Sequence, residues 1–536
     1  MTASFRQLLK DLKTAGELVE IEKPVDIRYI AALVDQSETA LLFKNIDGYD
    51  IPVVSGLTNS RDRLAIALGC DFDVVESKVR AGLDNPIEPN SVKSGLVRDV
   101  VVEGDEVDLF KLPVPLFSVL DGGPMITAGI TLSRDPDGEH KNINAGVYRY
   151  LIREKNLTGI DIVTPNNLHR YAKKAFAKDE PLPISINIGT HPYELIASTY
   201  KASIGTSEMG IAGGMRGEAL DLTSCKTIDL PCIADAEIVL EAEILPIGWN
   251  QPEGRFGEFT RLMGGLHWNP LVRIKAIAHR KNPIYYALHM PWENIWPSSP
   301  IYEAAVRRAV KEAGVQATAV NITPGGCCHW HAIIAIKPHP GDGKNALMAA
   351  LSVADMKHAV VVDEDIDVFD GTDVEWAIAT RVQASRDVMI VTGARSKPLD
   401  PSLPYVPGKI PVTDKMGIDA TIADDVPRER FHRIAYAYAD QVALDTYLGP
   451  ATLGRDRAAK EKEDGAPPQL ANAIRSTITE TPKHFAELTE HFASEGFQSV
   501  ARALGYLHAS GDLWQDTEGR YCLKSSDFAA APPNQK

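Results

Sequence analysis

Short strand-like runs separated by glycine-rich turns fill the middle of the sequence. The first two runs, at residues 125–134 and 140–151, are joined by Asp135-Pro136-Asp137-Gly138, a strong hairpin turn signal. Further runs lie at residues 183–189, 236–245, 272–279 and 284–289. Many strands joined by turns of this kind predict a barrel or a folded sheet.

Helices and strands alternate on both sides of these runs. Residues 1–125 begin with an amphipathic helix, whose apolar face consists of Phe5, Leu8, Leu9 and Leu12. After residue 300, helices are predicted at 301–313, 344–354 and 373–384, and strands at 316–322, 332–337, 359–363 and 388–392. This alternation predicts an α/β layer. The expected fold is therefore a mixture of α+β and α/β, with one domain at residues 1–315 and a second at 316–454.

The end of the chain differs in composition from the rest. A charged segment at residues 455–469 ends in glycine and proline and is predicted to be a linker. Two amphipathic helices, at 483–494 and 498–509, then precede a hairpin at 513–523. This order suggests a small winged-helix-like module over residues 470–536. Its second helix carries only Arg502 as a base, which favours a protein–protein or capping role over DNA binding.

Composition excludes several classes of partner. The 536 residues carry a formal net charge of −16, which disfavours binding to nucleic acid or to an anionic membrane. Residues 1–12 lack the apolar stretch of a signal peptide, and no run approaches the ~18 apolar residues of a membrane span. Six cysteines in so long a chain are no disulfide framework, so a cytoplasmic location is expected.

One acidic loop has the residues expected of a proton-transfer site. Pro252-Glu253-Gly254-Arg255-Phe256-Gly257-Glu258 places two carboxylates among glycines. An extended, kinked segment can direct Glu253 and Glu258 into one cavity, where repulsion and desolvation favour a protonated carboxyl group. Such a group can donate a proton near neutral pH. The alternative is a solvated turn with two surface glutamates.

Two further segments also place polar or charged side chains beside glycines. They are Asn142-Ile143-Asn144-Ala145-Gly146-Val147-Tyr148-Arg149 and Ser207-Glu208-Met209-Gly210-Ile211-Ala212-Gly213-Gly214-Met215-Arg216-Gly217. With the acidic loop they supply an amide, an arginine and three carboxylates, each beside glycine or another small residue.

The order of these motifs resembles the UbiD family of decarboxylases: Asn-x4-Arg, then Ser-Glu-x-Gly before Gly-Gly-x-x-Gly, then Pro-Glu-Gly-x-Phe-Gly-Glu. Four more motifs extend the resemblance over residues 1–450: Asp121-Gly122-Gly123, residues 363–367, Trp376-Ala377-x3-Arg381 and residues 415–421. The resemblance implies a split β-barrel that binds flavin. It also implies a homo-oligomer, a dimer or a hexamer, formed through the α/β domain.

Removal of CO2 from an sp2 carbon requires an organic electron sink. The resemblance implies prenylated FMN, supplied by a flavin prenyltransferase and held by its phosphate through Mn2+ or a similar divalent metal, with K+ nearby. The implied cofactor-binding residues are Asn144, Gly146, Val147, Tyr148, Arg149, Asn167, Glu208 and Lys344.

The resemblance also implies two sets of metal ligands. Asn144 and Glu208 match two ligands of the divalent metal. The third family ligand is usually His, whereas ungapped matching places Asn167 there, with His169 as the alternative. The residues that match the potassium shell are Ala197, Ser198, Tyr200, Glu208 and Arg381.

Arg149, Glu253 and Glu258 match the family's catalytic set. Arg149 can bridge both carboxylates and orient a substrate carboxylate. Glu258 then acts as the general acid that protonates carbon after CO2 leaves, while Glu253 holds Arg149. The alternative is an ion-pair network with no catalytic role.

The substrate class is predicted from the segment after the barrel, which contains Met290, Trp292 and Trp296. These side chains favour a flat aromatic or heteroaromatic carboxylic acid, or an aryl-CoA carboxylate, although core packing explains them equally. Two other functions stay open. Paired carboxylates also serve glycoside hydrolases, and the chain could be a non-catalytic flavin-binding scaffold.

Two further clusters could be mistaken for metal sites. Cys327-Cys328-His329-Trp330-His331 is predicted to lie on a strand, where adjacent side chains point to opposite faces and cannot share an ion. The acidic run at residues 363–367 is explained by solvated carboxylates near a helix N-terminus. Both clusters are therefore assigned structural roles.

Overall fold

A computed structural model describes residues 3–162, 166–203, 205–397, 399–404, 411–448 and 468–530. The chain divides into two compact units, Met1–Val426 and Pro427–Lys536. In the described ranges, no helix is long and apolar enough to cross a membrane. Residues 455–467 of the predicted linker lie outside the described residues.

The N-terminal part of the first unit is a four-stranded sheet with helices. Ser4 caps the first helix by accepting a hydrogen bond from the backbone N–H of Gln7, and the predicted apolar face is buried. The helices are Phe5–Thr14, Ile30–Asp35, Arg61–Leu68 and Val75–Asp84. The sheet order is Leu18–Ile21, Ala40–Phe43, Val53–Ser55 and Tyr285–Tyr286. The run at residues 284–289 therefore completes this sheet and is not part of the barrel.

Six antiparallel strands close into a barrel, which confirms the barrel prediction. Their order is Ile238–Ile244, Leu182–Ile188, Met125–Ser133, Asn144–Glu154, Leu157–Gly159 and Leu271–His279. The last strand pairs back with the first, and Val100–Glu103 extends the sheet at its side. Barrel and N-terminal sheet share one hydrophobic core.

The barrel strand Asn144–Glu154 begins four residues later than the run at 140–151 predicted. Residues 134–143 form the hairpin connection, in which the side chain of Asn142 donates a hydrogen bond to the carbonyl oxygen of Thr206 at 3.0 Å. This contact holds the connection outside the ladder, so pairing starts with Asn144 opposite Ser133.

Shorter elements pack around the barrel. Three helices follow its early strands: Asn167–Phe176, Pro192–Thr199 and Glu208–Arg216. A three-stranded sheet consists of Pro231–Ile233, Asp221–Ser224 and Asn90–Val92, and a separate hairpin pairs Gln251–Glu253 with His267–Asn269. This hairpin carries the acidic loop.

The α/β layer contains a five-stranded sheet in the order Ala317–Ile322, His331–Ile336, His358–Asp363, Val412–Ala420 and Val388–Arg395. Its helices are Ser299–Glu312, Asp342–Ser352, Gly371–Arg381 and Ala384–Asp387. Each predicted helix and strand of this layer is confirmed, with shifted ends, whereas Val412–Ala420 was not predicted. The first helix packs Val306 and Val310 into the core of this layer. The domain boundary at residue 316 stays a prediction.

The described part of the second unit contains three helices and a hairpin. The helices are Pro468–Glu480, Phe485–His491 and Phe497–Ala509, and the hairpin pairs Leu513–Gln515 with Tyr521–Leu523. Leu470, Ile474, Leu488, Val500 and Leu507 form its core. The first helix was not predicted, because its residues were assigned to the end of the linker and to the segment after it.

Candidate active site

A cavity of about 540 Å³ lies beside the barrel strand Asn144–Glu154. The other walls come from helices Pro192–Thr199 and Glu208–Arg216, the acidic loop and residues 288–297. The cavity brings together most of the predicted site residues: Asn144, Gly146, Val147, Tyr148, Arg149, Asn167, Ser198, Tyr200, Glu208 and Glu258.

Arg149 is the centre of the charged part of this cavity. Its Nε donates to Glu253 Oε1 at 2.8 Å, and its Nη1 donates to Glu258 Oε1 at 3.0 Å. The Phe256 ring centroid lies 5.4 Å from the guanidinium carbon. Glu253 is fully buried, while the side chains of Arg149 and Glu258 are 12% and 13% exposed. The structure therefore joins the three predicted catalytic residues in one ion-pair network.

Two members of this network were missed by the sequence analysis. Asp161 Oδ2 lies 2.7 Å from Arg149 Nη2 and 3.1 Å from His267 Nδ1. Burial opposes the charge of Arg149, but Asp161, Glu258 and Glu253 together raise its pKa above the ordinary value. The hydrogen bond with Asp161 raises the pKa of His267. Neither residue lies in a recognisable motif, although the hairpin register that pairs His267 with Glu253 could have indicated the histidine.

Close backbone packing fixes the acidic loop. A Cβ atom on Gly122 would lie 2.7 Å from the Cα of Gly254, so both positions require glycine. The N–H of Gly122 donates to the carbonyl oxygen of Arg255 at 2.9 Å. On the other side, a Cβ on Gly264 would lie 2.7 Å from Glu258 Oε1. The Glu258 carboxylate therefore occupies space that a larger residue at 264 would fill.

Phe259 attaches the same loop to the α/β layer. Its ring packs 4.5 Å from His329 and 5.3 Å from Trp330, measured between ring centroids. Cys327 and Cys328 join this cluster in a turn with positive φ angles, so the segment is not the strand that the sequence predicted. The predicted structural role of the segment is consistent with this packing.

Oxygen donors line another wall of the cavity. Asn144 donates through Nδ2 to Ser133, which leaves its Oδ1 available as a ligand. Glu208 begins its helix, and burial raises its pKa to about 7, against the hydrogen bond from the Ala145 N–H. Two buried oxygens on the cavity wall, Ser198 Oγ and Asn294 Oδ1, have no hydrogen-bond partner within the described ranges. These donors fit a hard cation and a polar cofactor group.

The two candidates for the third metal ligand lie in different places. Asn167 lines the cavity, whereas His169 lines a neighbouring groove. His169 Nδ1 lies 2.6 Å from the carbonyl oxygen of Ile162, and its ring packs on Trp249 at 4.9 Å between centroids. Burial lowers the pKa of His169. Of the two, Asn167 is the one that lines the cavity with Asn144 and Glu208.

Several predicted residues lie elsewhere. Lys344 lines a separate cavity, because it begins a helix of the α/β layer. Arg381 is buried and its guanidinium binds Asp363 at 2.9 Å and Asp365 at 2.6 Å, so its side chain does not line the cavity. These ion pairs also support a structural role for the acidic run. Ala197 is fully buried in its helix and does not line the cavity.

The two tryptophans of the predicted substrate segment also lie outside the cavity wall. Trp292 and Trp296 pack against Phe259, Ile295 and Cys328. Core packing therefore accounts for both of them. The apolar part of the cavity wall includes Met290 from that segment, together with Phe256 and Leu288.

Comparison with known proteins shows that the chain belongs to a class of carboxy-lyases. The chain matches three domains of 3-octaprenyl-4-hydroxybenzoate carboxy-lyase: the N-terminal domain at residues 9–77, the Rift-related domain at 90–291 and the C-terminal domain at 296–420. The chain belongs to the UbiD family, and the protein is a decarboxylase of that family.

Individual relatives cover most of the chain. It is 36% identical over 434 residues to the anhydromevalonate phosphate decarboxylase of Methanothermobacter thermautotrophicus, an alignment covering 80% of this chain and 99% of the relative. The UbiD-class enzyme HmfF from Pelotomaculum thermopropionicum, solved with FMN, is 38% identical with a TM-score of 0.78, over 83% of this chain and 100% of that one.

Two further structures share the fold. An evolved dimeric form of HmfF, solved with prenylated FMN, is 35% identical with a TM-score of 0.75, over 83% of this chain and 100% of that one. The apo 3,4-dihydroxybenzoic acid decarboxylase of Enterobacter cloacae is 26% identical with the same TM-score, over 83% of this chain and 99% of that one. The relatives therefore include enzymes named for an aromatic substrate and for a phosphorylated one.

Replacement of Gly264 by Ala is expected to displace the Glu258 carboxylate, because the new Cβ would lie 2.7 Å from Oε1. Misplacement of a catalytic group by about 1 Å costs roughly 100-fold in rate, so with Glu258 in the role that the family resemblance implies, CO2 release should fall by about that factor. Gly265→Ala is the matched control, since no atom lies within 4 Å of its added Cβ. Equal rates for the two variants, with an acid that the parent decarboxylates, would contradict the geometry of the loop.

Proposed function

We propose that the protein removes CO2 from an aromatic or heteroaromatic carboxylic acid, with prenylated FMN as cofactor and Glu258 as the proton donor to carbon. The observation that carries the proposal is the bridge from Arg149 to Glu253 and Glu258 at the cavity wall. An arginine held between two carboxylates can orient a substrate carboxylate while a neighbouring acid supplies a proton.

The cofactor assignment rests on the oxygen donors of the cavity and on the relatives solved with FMN and prenylated FMN. Asn144, Asn167 and Glu208 would hold a divalent metal such as Mn2+ at the cofactor phosphate. The proposed potassium ligands are Ser198, Tyr200 and Glu208, with backbone carbonyls serving at the first two positions. When bound, prenylated FMN would supply the electron sink for the electron pair that CO2 leaves behind.

The residues of the chain have separate tasks in the reaction. Arg149 binds and orients the substrate carboxylate, and Glu253 fixes the direction of the guanidinium through Nε. Phe256 packs on the guanidinium and limits the access of water to that side. After CO2 has left, Glu258 transfers its proton to the carbon that carried the carboxylate. In the reverse direction the Glu258 carboxylate removes that proton as a general base.

The methanogen relative favours a second substrate class, a phosphorylated acid like the anhydromevalonate phosphate in its name. Lys201 lines the cavity and could contact a phosphate, although its Nζ lies 2.7 Å from Asp355 Oδ2. The apolar wall of Phe256, Leu288 and Met290 favours the aromatic class. CO2 release from a panel of both kinds of acid separates the two candidates.

We also propose a homo-oligomer formed through the α/β layer. Strands Val388–Arg395 and Val412–Ala420 expose Ile390, Val412 and Met416, and Ile390 pairs directly with Met416. An exposed apolar sheet face of this kind suits burial against a second copy. The second unit keeps the proposed winged-helix-like assignment, for which its three helices and hairpin are the support, with a protein–protein role.

Glu258→Gln is expected to reduce CO2 release by at least about 10²–10⁴-fold, because the amide keeps the shape of the side chain but cannot deliver a proton. Cofactor content should stay near that of the parent. The matched control is Glu154→Gln, an exposed position on the barrel strand that carries Arg149. A Glu258→Gln enzyme that works within a few-fold of the parent would rule out Glu258 as the acid and direct attention to Glu253.

Glu208→Ala is expected to remove both the divalent metal and the flavin from protein produced together with a flavin prenyltransferase. The change deletes a carboxylate assigned to both cations. The control is Glu218→Ala, since Glu218 is half-exposed just beyond the same helix and pairs with Arg216. Metal analysis and flavin absorbance are the measurements, and full occupancy in the Glu208 variant would contradict the assigned site.

A further inference from the structure

The guanidinium of Arg149 binds three carboxylates, each through a different nitrogen. Nε contacts Glu253 at 2.8 Å, Nη1 contacts Glu258 at 3.0 Å, and Nη2 contacts Asp161 at 2.7 Å. The shortest of these distances belongs to Asp161. Its side chain is 16% exposed and lines the same cavity as Glu258. One cation is therefore shared by more negative groups than it can neutralise.

His267 holds Asp161 from the other side. The strand His267–Asn269 pairs with Gln251–Glu253 and places His267 directly opposite Glu253. His267 Nδ1 lies 3.1 Å from Asp161 Oδ2 and 3.3 Å from Arg149 Nη2. The hydrogen bond with Asp161 raises the pKa of the imidazole, and Glu258 adds to this effect while Arg149 opposes it. The charged groups around His267 are thus Asp161, Arg149, Glu258 and Glu253. Glu258 also faces Lys397, whose pKa burial lowers to about 8 while Glu258 raises it.

Charge balance links Asp161 to the protonation of Glu258. If Asp161, Glu253 and Glu258 were all ionised around Arg149 with a neutral His267, the cluster would carry an excess of two negative charges in a largely buried place. A proton on Glu258 reduces this excess, and Asp161 strengthens the effect because it competes with Glu258 for the guanidinium. A protonated His267 weakens the effect because it offsets the charge of Asp161.

We propose that Asp161 and His267 are positioning residues that act through Arg149 to set the pH range in which Glu258 holds its proton. Asp161 extends that range upwards and the protonated His267 limits it. This inference rests on the proposed function, because it takes Glu258 as the acid of the reaction. Neither Asp161 nor His267 donates a proton to the substrate.

The test measures the pH at which Glu258 loses its proton, by two independent routes. The first is the infrared band of a protonated carboxyl group in the apo protein, assigned by subtracting the spectrum of the same protein with Glu258→Gln. The second is the basic limb of the pH profile of CO2 release. In the Asp161→Asn variant, Glu258 no longer competes with Asp161 for Arg149, so the ionised form of Glu258 is stabilised. Both midpoints should therefore move to lower pH by about one pH unit or more.

Further variants separate a charge effect from a structural one. Asp161→Glu keeps the charge and should restore both midpoints to near the parent values. Asp105→Asn, at an exposed turn, is the matched control and should leave them unchanged. His267→Asn removes the group that offsets Asp161, so it should move the midpoints to higher pH. This variant also keeps the test open if Asp161→Asn does not fold.

The outcomes also separate this inference from the proposed function. An Asp161→Asn protein with both midpoints at the parent values would overturn the role of Asp161, even if the parent releases CO2. An unchanged or lowered midpoint in His267→Asn would overturn the role of His267. If the infrared midpoint shifts as expected but the parent releases no CO2 from any acid in the panel, the link to Glu258 stands and the proposed function fails.

Discussion

The Arg149 guanidinium is the group on which the rest of the site depends. A buried cation is costly unless its partners are well placed. Here the strand Gln251–Glu253, the acidic loop and the segment after Gly159 each bring a carboxylate to Arg149. Removal of Arg149 would leave Glu253, fully buried, without its cation. The need to satisfy this charge therefore fixes the position of the acidic loop, and glycines at 122 and 254 allow the backbones to come close enough. The geometry of the ion-pair network and the local stability of the loop therefore both depend on Arg149.

Sequence predicted the part of the site that is carried by local motifs. Arg149, Glu253 and Glu258 could be found because each lies in a short motif that resembles one of the family's motifs. Asp161 could not be found, since a single Asp has no pattern and meets Arg149 only where its own segment runs beside the barrel strand. His267 was indicated only by the hairpin register that places it opposite Glu253. Arg381 and Lys344 were predicted at the site for the same reason, because contacts made by the fold are not visible in the sequence. Motif spacing does not show that Arg381 is already bound by two aspartates of its own layer, or that Lys344 begins a helix beside another cavity.

The fold was predictable where one face of an element is apolar. The barrel strands and the helices of the α/β layer have that pattern, whereas Val412–Ala420 does not. Its buried positions include Lys415, whose ammonium group donates to the carbonyl oxygen of Leu351. The sequence of this strand therefore lacks the alternation of apolar and polar residues that predicts a half-buried strand. The helix Pro468–Glu480 was missed for another reason. A proline favours the first turn of a helix as much as it ends a linker, and only packing in the second unit decides between the two.

The central claim is that Glu258 exchanges a proton with the carbon that carries the carboxylate. The most direct measurement is the exchange of that C–H bond with D2O, catalysed by the holoenzyme on the decarboxylated product in the absence of CO2. Glu258 acts there as the base without any step that makes or breaks a bond to CO2. Deuterium is expected in the product with the parent enzyme and none above background with Glu258→Gln. Exchange by the variant at the rate of the parent would contradict the claim.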